Sequence, residues 1–289
     1  MPHATLTQRT AHVWPVPLAS SRRAAPAKAP SARSARFAPR RGGIDAIRLI
    51  TALAVVDFHA RGSHGHLGSW RMPTMALIGC WFAAESRGNP RVLLRNFAIW
   101  AGLQALANGV IAARHQRAVL AAVFESVICS QLWYVPFALA SGFIVRKAMG
   151  GSAAAGAAVA TTALIAIPCP IPAGMASRWW QVVPCIGLAV LCRTSLHGRG
   201  PAMLALAMSL LAVPGASGYS IALVLLVAGR SVMLPGGATL AALSRAIFWS
   251  HPLVALVLYK FRVHGPGEAL AASLATACLI VATRLRKYA

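Results

Sequence analysis

Acidic residues are nearly missing from this sequence. Five stand among 289 positions, Asp45, Asp57, Glu85, Glu125 and Glu268, against 28 lysines and arginines, giving a formal net charge of +23. Such a balance can signal nucleic-acid binding, but here the basic residues sit between apolar runs and not along one amphipathic face, a pattern that membrane topology explains better. Cysteine pairs are missing too. The six cysteines, Cys80, Cys129, Cys169, Cys185, Cys192 and Cys278, include no C-x-x-C pair, so neither a zinc site nor a disulfide framework follows. A Cys129–Cys169 pair stands as the alternative to buried free thiols. P-loop, dinucleotide fingerprint and nucleophile elbow are all absent. The glycine-rich "GGSAAAGAA" at 150–158 reads as small-residue helix packing.

What the chain has in excess is apolar surface. Hydrophobic residues make up 57% of it, charged residues 11%, and the mean hydropathy is +0.63, which together imply an integral membrane protein. Residues 1–43 differ: they are rich in Ala, Pro, Ser and Arg, lack acids and show no apolar periodicity. They predict a disordered basic tail, resembling a transit peptide in composition, and whether they belong to the mature protein is open. Residues 44–289 form the membrane domain. A spanning helix needs about 20 apolar residues, with roughly 17 as the lower end. Ten candidates follow, near 44–60, 71–86, 92–112, 132–148, 152–168, 180–194, 201–215, 217–232, 241–260 and 267–284. The stretch 118–130 is too short to cross and is expected to lie at the interface or re-enter.

Orientation follows from the basic residues, which are enriched in cytoplasmic loops. With the N-terminus inside, twelve loop or helix-end Lys and Arg fall on the inner side and seven on the outer, leaving out the tail and Arg48. Both termini are therefore expected in the cytoplasm, with the eight basic residues of the tail adding to the bias. The pairs Trp133–Tyr134 and Trp179–Trp180 fall where outer-interface aromatics belong.

"IDAIRLITALAVVDFHA", residues 44–60, places Arg48 and His59 inside an apolar run. An ionisable group within a span costs roughly 2.5 kcal/mol or more and normally faces a protein interior or a polar cavity. Eleven residues are close to three helical turns, so both side chains leave one face about 16 Å apart along the axis. One polar cavity could hold both. The competing reading makes Arg48 a snorkelling juxtamembrane residue and His59 an interfacial one. Asp45, three residues before Arg48, either orients its guanidinium or caps the helix. Asp57 points away from His59 and is free to pair with another span. His251 falls in the middle of the ninth span, before Pro252, which removes one backbone donor and frees a carbonyl. His64 and His66 read as polar loop residues, not as a metal pair.

In order along the chain, "IDAIRLITALAVVDFH", "NPRVLLRNF", "QLWYVPFAL", "WWQVVPCIGLAVL" and "IFWSHPLVALVL" resemble the motifs of the acyltransferase 3 family of membrane acyltransferases. The family's second helix usually carries aromatics followed by Ser-Gly, where this chain has Gly79 and Cys80 in "MALIGCWFAAE". The resemblance implies an all-α polytopic protein of the bacterial inner membrane that moves an acyl group, acetyl above all, from cytosolic acyl-CoA to a hydroxyl of a glycan or lipid-linked acceptor. It implies no bound cofactor and no metal. It makes His59 the catalytic base and assigns Arg48 to the donor's anionic or carbonyl groups, with Asp45, Trp133, Tyr134 and His251 as further site residues. Trp133 and Tyr134 would then stand beside the acceptor and not in an aromatic belt, and His251 would line a cavity. A transporter or flippase of a glycan or lipid, or an inactive partner protein, remain the alternatives.

Overall fold

The structure is a computed structural model that describes residues 42–61, 70–83, 90–116, 118–121, 123, 134–169, 179–263 and 265–283. Trp133, His64, His66, Cys129, Glu85, Glu125 and the tail through residue 41 lie outside the described residues, and the 118–130 stretch lies mostly outside them.

Among the described residues the fold is all-α. Ten helices run α1 (Gly42–Arg61), α2 (Arg71–Ala83), α3 (Pro90–Arg114), α4 (Tyr134–Gly150), α5 (Ala153–Ile165), α6 (Val183–Thr194), α7 (Gly200–Leu211), α8 (Ser217–Ser231), α9 (Gly237–Lys260) and α10 (Pro266–Ala282). Each matches one expected apolar segment to within a few residues. Their starts have local causes. Pro90 and Pro266 open α3 and α10, and proline also stands in the first turn of α6 and α7, where a missing N–H costs nothing. Ser152 caps α5 by accepting the Ala155 N–H at 3.2 Å. Gly236, with φ of 76°, turns the chain into α9 through the left-handed region that glycine tolerates best.

Length separates these helices. α3 and α9, taken as Arg91–Arg114 and Gly237–Lys260, are long and apolar enough to cross a membrane. The twelve residues of α6 or α7 rise only about 18 Å, short of a hydrocarbon layer about 30 Å thick. Apolar side chains nevertheless cover outer faces of several helices: Leu103, Leu106 and Val110 on α3, Met208 and Leu211 on α7 and Leu279 on α10 are exposed. Water disfavours such a surface and lipid tolerates it.

α1 and α2 stand at the centre. α1 packs on α2, α8, α9 and α10, while α2 packs on α1, α4, α6 and α8. One core, with Trp81, Leu77, Leu188, Leu223 and Leu226, fills the α2, α6, α7 and α8 side; a second, with Ala52, Val56, Ala246, Ile247 and Ala277, lies between α1, α9 and α10. Glycine permits close crossings. A Cβ on Gly43 of α1 would stand 2.6 Å from the Gly229 carbonyl oxygen of α8, and one on Gly187 of α6 would stand 2.7 Å from the Ala160 carbonyl oxygen of α5. Within "GGSAAAGAA" itself, Gly156 is buried, and a Cβ there would stand 3.9 Å from the Val190 side chain of α6.

Candidate functional site

α1 runs unbroken through both residues of interest, so Arg48 and His59 emerge from one face at its two ends. Asp45 is the fourth residue of this helix and not its cap. Its buried carboxylate lies 3.8 Å from the Arg48 guanidinium, and its second oxygen sits against the first turn of α9, 3.3 Å from where a Gly237 Cβ would stand. A helix start carries partial positive charge, so this placement favours the carboxylate. Arg48 is thereby held, with about a third of its side chain accessible.

Between the two ends the face closes. Ala52 is buried in the α1, α9 and α10 core and Val55 is half-buried, and the cavity at the His59 end is not lined by Arg48. Ala52 packs against α9 and α10, and the buried Thr51 beside it donates to the Ile47 carbonyl of its own helix at 2.7 Å. Polar groups thus stand at both ends of this face, Asp45 and Arg48 at one and His59 with His251 at the other.

The His59 end holds a cavity of about 110 Å3, lined among others by Val56, His59, His251, Ala255, Leu258 and Ser273 from α1, α9 and α10. Two imidazoles meet there. The His59 and His251 rings stack with centroids 5.7 Å apart and planes 24° from parallel. His59 is exposed, whereas His251 is buried.

His251 owes its setting to the proline after it. In an α-helix the N–H of residue 252 would bond the Phe248 carbonyl, but Pro252 has none. His251 Nδ1 takes that place, 2.9 Å from the Phe248 carbonyl oxygen and 3.1 Å from that of Ile247. Carbonyls only accept, so Nδ1 carries the proton and Nε2 of the neutral ring carries the lone pair. Nε2 is buried and has no hydrogen-bond partner in the protein. A buried acceptor left this way is costly unless something else fills it, which marks a place for a ligand's donor.

A row of rings leads inward from this pair. Phe248 lies 6.3 Å from the His251 ring and 5.7 Å edge-on from Tyr134. Tyr134 is buried, and its hydroxyl donates to the Met75 carbonyl of α2 at 2.8 Å. It is a core residue and not a belt aromatic. Gly79 makes the room, since a Cβ there would stand 2.6 Å from the Tyr134 hydroxyl oxygen. The departure in the second helix thus has a packing role. Tyr134→Phe should lower stability by about 0.5–1.5 kcal/mol in a denaturant or thermal titration while leaving the helix content unchanged; an unchanged midpoint would contradict the hydrogen bond's role.

Sequence reasoning missed Arg71. It is buried at the start of α2, donates to the Ala54 carbonyl at 2.8 Å, lies 4.6 Å over the Phe58 ring and interacts electrostatically with Asp57. It pins the turn of α1 that carries His59 and gives Asp57 its partner on another helix. The only prior signal was that Asp57 needed a cation elsewhere. Around Trp81 of α2, Arg193 and Arg230 stack 5.0 Å and 4.6 Å from the ring centroid, and Arg193 donates to the Trp81 carbonyl at 3.0 Å. Helix C-termini favour such cations, so these two arginines are accounted for as helix-end partners.

Cys80, Cys169, Cys185, Cys192 and Cys278 are free thiols. Among the described residues no group of three or more His, Cys, Asp and Glu is placed to hold a metal ion. No protein-family model, no curated protein and no solved structure shows a significant match to this chain.

Proposed function

We propose that this protein is a multi-pass membrane O-acyltransferase, with both termini in the cytoplasm of a bacterial cell, that moves a short acyl group from acyl-CoA to a hydroxyl acceptor. The observation that carries the reading is the pair of imidazoles facing one small cavity, one with its lone pair fixed by a Pro-freed carbonyl. A hydroxyl is a poor nucleophile until a base takes its proton. The His59 and His251 pair supplies that base. The hydroxyl oxygen attacks the thioester carbonyl, its proton passes to imidazole, the carbon–sulfur bond breaks and the thiolate leaves with a proton.

Of the two tasks the resemblance offers Arg48, holding the donor's anionic end is the one its position suits. About 16 Å along α1 from His59, it cannot touch the reacting carbonyl while His59 does. It suits the anionic end of the donor, whose flexible arm separates phosphates from thioester. With Ala52 buried on the shared face, that arm runs beside the half-buried Val55 flank. The order of ring, motif and helix along the chain supports the acyltransferase 3 resemblance; the short α2, α5, α6 and α7 cross the bilayer together with their flanking turns in this reading.

Purified protein in liposomes should release free CoA from acetyl-CoA only when an acceptor is supplied. Movement of the acceptor across the bilayer without CoA release would instead make the protein a transporter. Pro252→Ala offers a sharper test of the His251 geometry. It restores a backbone donor to Phe248 and frees the imidazole to rotate, so transfer should slow by about tenfold or more while the melting temperature does not fall. Unchanged turnover would remove the proline from the mechanism.

A further inference from the structure

Resting on the acyltransferase reading, we infer that the acceptor group seated in the cavity is a slim primary alcohol, a hydroxymethyl arm, whose O–H donates to Nε2 of His251. Three observations converge on it. His251 Nε2 is a buried lone pair with no partner in the protein, so the occupant must bring a donor, as a hydroxyl does and a thioester does not. The cavity measures about 110 Å3, smaller than the roughly 150 Å3 that accepts a benzene ring. A sugar or cyclitol ring is therefore too large to be taken in whole, while a –CH2OH arm enters. The walls beside the imidazoles, Val56, Ala255, Leu258 and Val263, are apolar, which suits one methylene, with Ser273 and Tyr259 bringing the only side-chain hydroxyls among the lining residues.

The same geometry divides the labour. The buried His251 receives the proton as the acceptor oxygen bonds to the acyl carbon, and a buried imidazolium is costly to keep. His59, stacked 5.7 Å away and exposed, passes the proton on to the departing thiolate, receiving it through a water or a hydroxyl between the rings.

The test uses full-length protein in nanodiscs with methyl glucoside, which has one primary hydroxyl, its 6-deoxy analogue, which has none, and myo-inositol, which has only ring hydroxyls. First, with 15N-histidine labelling and no acyl donor, the His251 Nε2 resonance, identified by its loss in His251→Gln, should shift saturably with methyl glucoside and stay put with the other two. Second, with acetyl-CoA present, the ester should form on the primary hydroxyl alone, and Ala255→Leu, which fills the cavity, should slow that transfer by about tenfold or more. Equal shifts with the 6-deoxy sugar or inositol, no shift with any of them, or esters on ring hydroxyls would overturn the docking assignment while leaving acyl transfer intact. A selective shift with no ester and no CoA release would overturn the acyltransferase reading and leave the alcohol site standing.

Discussion

His59→Ala should abolish acyl transfer, lowering it by roughly 10²–10⁴-fold, with expression and membrane insertion unchanged. The side chain is exposed, with its ring 5.4 Å from that of Phe58 and 5.7 Å from that of His251. Its loss therefore removes little packing. The helix that carries it is held instead by Arg71 on Ala54 and Phe58 and by the Ala52 and Val56 core. His251→Ala should give a comparable loss of transfer but cost stability as well, because a buried ring and two hydrogen bonds go with it. The contrast is what identifies the roles. Free imidazole in the buffer should restore part of the His59→Ala rate, since that position opens to solvent, and none of the His251→Ala rate. Full activity in His59→Ala would take this residue out of the chemistry.

A large stability effect should come from Gly187. An added Cβ meets the Ala160 carbonyl oxygen at 2.7 Å and the Ala163 Cβ at 3.0 Å, both on the rigid facing surface of α5. Backbone cannot swing aside as a side-chain tip does, so α5 and α6 must separate. Gly187→Ala should cost about 1–3 kcal/mol, read as a lowered melting temperature in detergent or nanodiscs. Gly102 gives the control. It lies within α3 with nothing within 4 Å of its missing Cβ, so Gly102→Ala should hold or raise stability by up to about 1 kcal/mol through helix propensity. Equal effects of the two substitutions would contradict the crossing geometry.

Much of this architecture was legible before any coordinates. Apolar runs bounded by Gly, Pro and Arg located all ten helices, because helix length and hydrophobicity are local properties. Pro252 already announced a freed carbonyl after His251. What stayed hidden was non-local. Arg71 looked like a loop-end charge until folding laid it over Phe58, and Tyr134 looked like an interfacial aromatic until Gly79 of another helix made room for its hydroxyl. The spacing of Arg48 and His59 fixed their shared face, yet spacing says nothing about what packs onto Ala52 between them. Adjacency of His59 and His251, 192 positions apart in sequence, follows from α1 packing on α9, which no periodicity within either helix encodes. Among the described residues, α3 and α9 alone have the length and hydropathy to cross a membrane unaided.

Carbon-13 in the acyl group of acetyl-CoA follows the proposed chemistry from start to finish. Proteoliposomes holding the purified protein are given labelled donor with a lipid and glycan extract, and the products are separated by mass spectrometry. The account predicts that the label leaves the thioester and reappears as a hydroxyl ester in amounts matching the CoA released. Label that stays on CoA, while glycan or lipid moves across the bilayer, would contradict it.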